Sequence, residues 1–174
     1  MMRSRKLLLV GLGLGCLLGA LRSGAQDAPP APSVHARDGF LIGFSLGYGA
    51  TFPCDTCADG AGEFHLGAMA SPKLAVLAEV GIVGGDDRSH GGLLLATIGV
   101  QYWATERVWL KGGLGIGDAL DDETARDSDR GWGAAAAVGY EVARKGRFAF
   151  DIQARGGFVG DRHSFALNLG FNWF

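Results

Sequence analysis

The stretch Ser164 to Phe174, SFALNLGFNWF, alternates without a break. Phe165, Leu167, Leu169, Phe171 and Trp173 are large and apolar, while Ala166, Asn168, Gly170 and Asn172 between them are small or carry amides. Successive side chains of a β-strand point to opposite faces, so the stretch reads as a strand with one wholly apolar face and one small, polar face. Lipid outside and a wet lumen inside suit that division. Seven earlier segments repeat it. Their large faces are Phe40, Ile42, Phe44, Leu46 and Tyr48; Phe64, Leu66 and Ala68; Leu74, Val76, Ala78, Val80 and Ile82; Leu94, Ala96, Ile98, Val100 and Tyr102; Val108, Leu110, Leu114 and Ile116; Trp132, Ala134, Ala136, Val138, Tyr140 and Val142; and Phe148, Phe150, Ile152 and Ala154.

No charge falls on any of these large faces. The opposite faces carry Glu63, Glu79, Lys111, Glu141, Asp151 and Arg155 among many Gly and Ala, too small and too sparsely charged to be a solvated surface. They are expected to face a narrow lumen. The 30 glycines of the 174-residue chain fit this reading, because average usage gives about 12 and a crowded barrel interior takes up the excess. The links at 71–73, 104–107 and 144–146 are short, whereas those near 50–62, 84–91 and 118–130 are longer. With the start of the first strand in the periplasm, the short links are periplasmic and the long ones extracellular. Tyr102, Tyr140, Phe148 and Trp173 then form one aromatic girdle and Tyr48, Phe64 and Trp132 the other. The expected fold is all-β, a closed eight-stranded antiparallel up-and-down transmembrane β-barrel over 39–174. A secreted soluble barrel of lipocalin type is the alternative, and it needs the reverse placement of polar and apolar faces.

Met1 to Ala25 reads as a signal peptide. Arg3, Arg5 and Lys6 form its basic start, Leu7 to Leu21 its apolar core and Ser23-Gly24-Ala25 its cleavage site. The core is too short and glycine-broken for a spanning helix, and Gly13 stands where a lipidation signal at Cys16 would place Leu. Losing Arg3, Arg5, Lys6 and Arg22 leaves 12 basic against 18 acidic residues, a net charge of −6, which makes nucleic acid a poor partner. Residues 26–38, QDAPPAPSVHARD, hold three of the five prolines and read as a periplasmic lead-in.

Signal peptide, eight alternating strands and a final strand ending on Phe174 resemble the small bacterial outer-membrane β-barrel superfamily that includes the OmpA transmembrane domain and OmpX. The resemblance covers nearly all of the mature chain. It implies residence in the bacterial outer membrane and contact with its lipids and lipopolysaccharide. It also implies insertion by the barrel-assembly machinery with Phe171, Trp173 and Phe174 as assembly signal. Trp173 takes the outward phase of the final strand and Phe174 the inward one. With the barrel expected to fill the chain to Phe174, the peptidoglycan-binding domain that follows the barrel in full-length OmpA proteins is not expected in it.

The chemistry-bearing candidates are few. Cys54 and Cys57 form a CxxC in the first outer loop without the helix start of a redox motif or the further ligands of a zinc site. A disulfide is the favoured reading, and closing so short a loop adds about 2 kcal/mol at most. Asp118 to Arg130 holds six acids in thirteen residues without the spacing of an EF-hand loop. Gly112 to Gly117 lacks the following helix that a phosphate cradle needs. His163 and Ser164 are adjacent and so point to opposite faces, against the geometry of a catalytic triad; Asp87 to His90 is weaker still.

The expected function is therefore a non-enzymatic structural or surface-interaction role, without cofactor or metal, for a monomer with an unidentified extracellular partner. A narrow channel or a lipid A-modifying enzyme is the alternative. Eight strands leave an interior that side chains can fill. Glu79, Lys111, Glu141, Asp151 and Arg155 are expected to form a polar network that plugs it, with Lys111 paired to Glu141 on the adjacent strand and Glu79 and Arg155 forming a second pair or joining Asp151.

Overall fold

A computed structural model of the chain describes residues 37–52, 58–84, 92–120 and 130–174. Eight strands run through these residues: β1 (Phe40–Phe52), β2 (Ala58–Ser71), β3 (Leu74–Val83), β4 (Gly92–Trp103), β5 (Val108–Leu120), β6 (Gly131–Lys145), β7 (Phe148–Val159) and β8 (Arg162–Trp173). Each pairs antiparallel with its neighbours in sequence order. The ring closes where β1 meets β8, from Ile42 opposite Trp173 to Phe52 opposite His163. The signal-peptide segment, most of the 26–38 lead-in, Cys54 and Cys57, Asp87 to His90 and most of the acidic 118–130 loop lie outside the described residues.

Closure by consecutive hairpins gives the barrel two ends. The near end holds the start of β1, the end of β8 and the turns at 72–73, 104–107 and 146–147; the far end holds the remaining links. Gly146-Arg147 and Gly160-Asp161 each join two strands with two residues, and φ is +60° at Gly146 and +59° at Gly160, while among the described residues no other residue type has positive φ. A leading glycine at positive φ followed by an ordinary residue is the II′ hairpin pattern, whose twist matches that of the strands it joins.

The strands outrun the alternating segments at the far end. β1 and β2 stay paired to Ala50 opposite Ala58, well inside the 50–62 link expected from the sequence. Ladder hydrogen bonds need only backbone, so a Gly- and Ala-rich stretch can extend a strand without extending the side-chain pattern. One consequence is that Phe64 lies mid-strand and not in the far girdle.

The faces divide as the alternation expects. Phe44, Leu46, Val80, Ile98, Leu114, Trp132, Ile152, Leu167 and Leu169 are among the exposed apolar residues on the outer wall. This placement excludes the lipocalin arrangement, in which the apolar face would line the interior. The interior differs from expectation in one respect, because much of it is large and apolar. Leu41, Ala75, Leu77, Trp103, Trp109, Ala137, Ala149 and Phe174 form a buried cluster toward the near end. Leu93, Leu95, Ala135 and Val159, with Ala61, Val83 and Ala166, fill the far half. Val83, Leu93, Trp103 and Val159 lie beyond the ends of the alternating segments, while Leu41, Leu77, Leu95 and Trp109 are inward positions within them, so the apolar layers combine residues the alternation places inward with residues it does not reach.

Candidate functional site

Between the two apolar layers the inward positions become charged. Along β3 the inward order is Leu77, Glu79, Gly81, Val83, and along β5 Lys111 follows Trp109. Glu63, Glu79, Lys111 and Arg155 meet in the lumen, each no more than 6% exposed. Lys111 Nζ donates to Glu63 Oε1 and lies 2.8 Å from Glu79 Oε2. Arg155 donates from Nη2 and Nε to Glu79 Oε1 at 2.8 and 3.1 Å, and its Nε forms an ion pair with Glu63 Oε2 at 3.1 Å. Two carboxylates thus alternate with two cations in a neutral ring. A buried ion left alone carries a desolvation penalty of several kcal/mol, which only a hydrogen-bonded opposite charge offsets.

A chain of hydrogen bonds extends the ring. His65 Nδ1 lies 3.0 Å from Glu63 Oε1, and its Nε2 lies 2.8 Å from Asn172 Oδ1. Asn172 Nδ2 in turn donates to Asp151 Oδ2. His65 on β2 and Asn172 on β8 flank β1 at Gly43, and they touch only because that position has no side chain. A Cβ on Gly43 would stand 2.5 Å from Asn172 Oδ1. Asn168 and Ser45 make a separate bond of 3.1 Å on the same side of the lumen.

Glu141 belongs elsewhere. The pairing of Lys111 with Glu141 expected from adjacent strands does not occur, because Lys111 stands opposite Ala137, four residues and about 13 Å of strand away from Glu141 at the usual rise. Lys111 instead reaches across the lumen to β2 and β3. Glu141 accepts the Trp103 indole N–H at 2.7 Å and an Arg37 guanidinium N–H at 3.0 Å at the near mouth. Of the five residues expected to share one network, Glu79, Lys111 and Arg155 are brought into the ring, Asp151 joins it through Asn172 and His65, and Glu141 is apart.

Glu63 and His65 were legible as inward residues of their strand, yet nothing in the spacing marks Glu63 as the acceptor of Lys111. Arg37 gave no signal, since it lies in a segment that composition assigns to a lead-in. The final strand places Phe171 and Trp173 outward and Phe174 inward, where the Phe174 ring is buried 5.6 Å from Trp103. His163 is exposed on the outer wall, its ring 6.3 Å from Phe158, while Ser164 is buried and its hydroxyl donates to the Gly157 carbonyl at 3.5 Å. The pair therefore cannot act on one substrate from one face. Gly112 to Gly117 lies within β5 and cradles nothing helical.

No family model matches the chain, and no curated protein resembles it in sequence. Solved structures do. Neisserial surface protein A (NspA) superposes with a TM-score of 0.57 at 14% identity, covering 77% of this chain and 96% of that one. The N-terminal β-barrel domain of Pseudomonas aeruginosa OprF gives 0.55 at 14% identity, covering 78% and 98%. The fold is that of the small outer-membrane β-barrels. Ail, the attachment invasion locus protein of Yersinia pestis, shares this barrel at 0.53 and 15% identity, covering 78% and 98%. Such identities carry the architecture and not the residues, so the ring of Glu63, Glu79, Lys111 and Arg155 rests on its own geometry.

Proposed function

We propose that this chain is a resident of the bacterial outer membrane whose lumen is closed by its own side chains, and that its role is structural or surface-interacting and not catalytic. The observation that carries this is the neutral ring of Glu63, Glu79, Lys111 and Arg155, buried between the Leu41–Trp103–Trp109–Phe174 cluster and the Leu93–Leu95–Val159 cluster. An interior filled to that degree has no continuous aqueous path of porin size. The outer wall, apolar around the ring of strands, supplies the lipid contact. The far links, where Cys54 and Cys57 would close a small loop and the 118–130 stretch gathers its acids, are left as the surface presented outward.

Purified protein in planar bilayers tests the closed lumen. The expected record shows no large, stable conductance at moderate voltage; a stable open level of porin size would overturn the proposal. Ser164→Ala separates the enzymatic alternative, since loss of a lipid A hydrolysis on that change would contradict the buried, inward position of Ser164.

A further inference from the structure

Arg37 precedes β1 by three residues, yet its side chain is only 9% exposed. Its hydrogen-bond partners are on the β4–β5 turn and on β6, and of the two rings beside it Trp103 is on β4 while Phe174 follows β8, whereas the strands hydrogen-bonded to β1 are β2 and β8. The chain therefore crosses the near mouth before it enters the wall. Gly39 makes the crossing possible. It sits at φ +78°, with nothing within 4 Å of where a Cβ would be, so the requirement for glycine is conformational and not steric. Its carbonyl is pinned by the Met69 N–H at 2.8 Å.

The place Arg37 reaches is built to hold a guanidinium. The Trp103 ring lies under its Cζ at 4.6 Å and the Phe174 ring is 5.7 Å away. These two rings meet edge to face at an interplanar angle of 65°, a favoured aromatic geometry that fixes the two walls of the cage. Glu141 Oε1 accepts from Arg37 Nη2 and from the Trp103 indole N–H, which holds the carboxylate in place, and the Glu106 carbonyl accepts from Nη2 at 2.7 Å. Arg144 Cζ also lies over the Phe174 ring at 4.7 Å, and its Nη1 is 3.8 Å from Glu141 Oε2. Burial pulls the Arg37 guanidinium below its ordinary pKa and the neighbouring Glu141 carboxylate works against that shift, leaving a group that is always charged near neutrality. Two aromatic faces, a carboxylate and a carbonyl around one cation are the elements of cation recognition in an aromatic cage.

We infer that the near mouth of the barrel is a guanidinium-binding site formed by Trp103, Phe174, Glu141 and the Glu106 carbonyl, which the chain fills with its own Arg37 as a tethered stopper. The site is thus distinct from the mid-lumen ring and closes a different level of the barrel. The Arg37 side chain takes no part in the strand pairing, so removing it vacates the cage without touching the barrel ladder. A small guanidinium compound of matching shape then occupies the same place.

The test follows the Trp103 indole N–H by nitrogen-15 NMR of the full chain in nanodiscs, the resonance being assigned by its loss in Trp103→Phe. Arg37→Ala is expected to shift this resonance and to speed its hydrogen exchange about tenfold or more as the desolvated cation–π contact is lost, while the Trp109 indole signal stays in place. Methylguanidinium at millimolar concentration returns the Trp103 resonance toward its original position in a saturable way, and neutral methylurea does not. Arg147→Ala, which removes an exposed group 3.9 Å from Asp38, leaves the resonance unmoved. An unshifted resonance in Arg37→Ala, or an equal response to methylguanidinium and methylurea, would overturn the inference. Should Arg37→Ala fail to fold, Arg37→Gln carries the same readout, because it keeps a polar amide near the mouth and lacks the charge and the guanidinium plane; a resonance and a methylguanidinium response like those of the unaltered chain would then be the contradicting result.

Discussion

Gly62 and Gly81 are separated by one rung of the β2–β3 ladder but belong to opposite faces of the wall. A Cβ on Gly62 would meet Leu46 Cδ2 at an ordinary 3.6 Å, whereas one on Gly81 would stand 2.7 Å from Arg155 Cζ. Arg155 is long enough to swing aside, but doing so breaks its pairs with Glu79 and Glu63 in a buried layer. Gly81→Ala is therefore expected to destabilise the barrel by about 1–3 kcal/mol in urea unfolding from lipid, as overpacking does, and Gly62→Ala to change stability by less than about 0.5 kcal/mol. Equal effects would show that the guanidinium does not lie over Gly81. The ring itself is tested by two double-mutant cycles. Lys111→Met with Glu63→Gln is expected to show coupling of about 1 kcal/mol or more, and Lys111→Met with Glu141→Gln to be additive within about 0.5 kcal/mol. A reversal of the two would restore the adjacent-strand pairing that the register argues against.

At the scale of the strand, the alternation makes a sharper claim than the fold alone. Leu114 is the seventh residue of β5 and 72% exposed on the outer wall, while Lys111 on the same strand faces inward. Leu114→Arg should then cost about 2–4 kcal/mol in a bilayer, the penalty of a cation on the lipid face near the midplane. A cost near zero would place that face in water. Strand number, order and facing were legible in the sequence because each depends on a local, two-residue period. Strand ends were not, since the end of β1 and the start of β2 pair through small residues such as Ala50 and Ala58, and at the end of β7 the outward Phe158 and the inward Val159 are both large and apolar, so the faces show no contrast there. The ring was half legible for a related reason. Period 2 says that Glu63, Glu79, Lys111 and Arg155 point inward, but which of them meet depends on how far each strand is staggered around the closed barrel, and no pattern within one strand records that.

As a whole, the barrel is inverted, with apolar residues on its outer wall, a buried ionic layer inside, apolar packing above and below it, and Arg37 drawn across the near mouth. In water such an outer wall would be a single continuous hydrophobic surface, far larger than soluble monomers expose. Expression of the full sequence in a Gram-negative host, followed by membrane fractionation and gel electrophoresis with and without boiling, examines this most directly. The expected result is recovery in the outer-membrane fraction with a band whose mobility changes on heating, as a closed barrel resists detergent until it is boiled. Recovery as a soluble periplasmic protein without a heat-modifiable band would contradict the account.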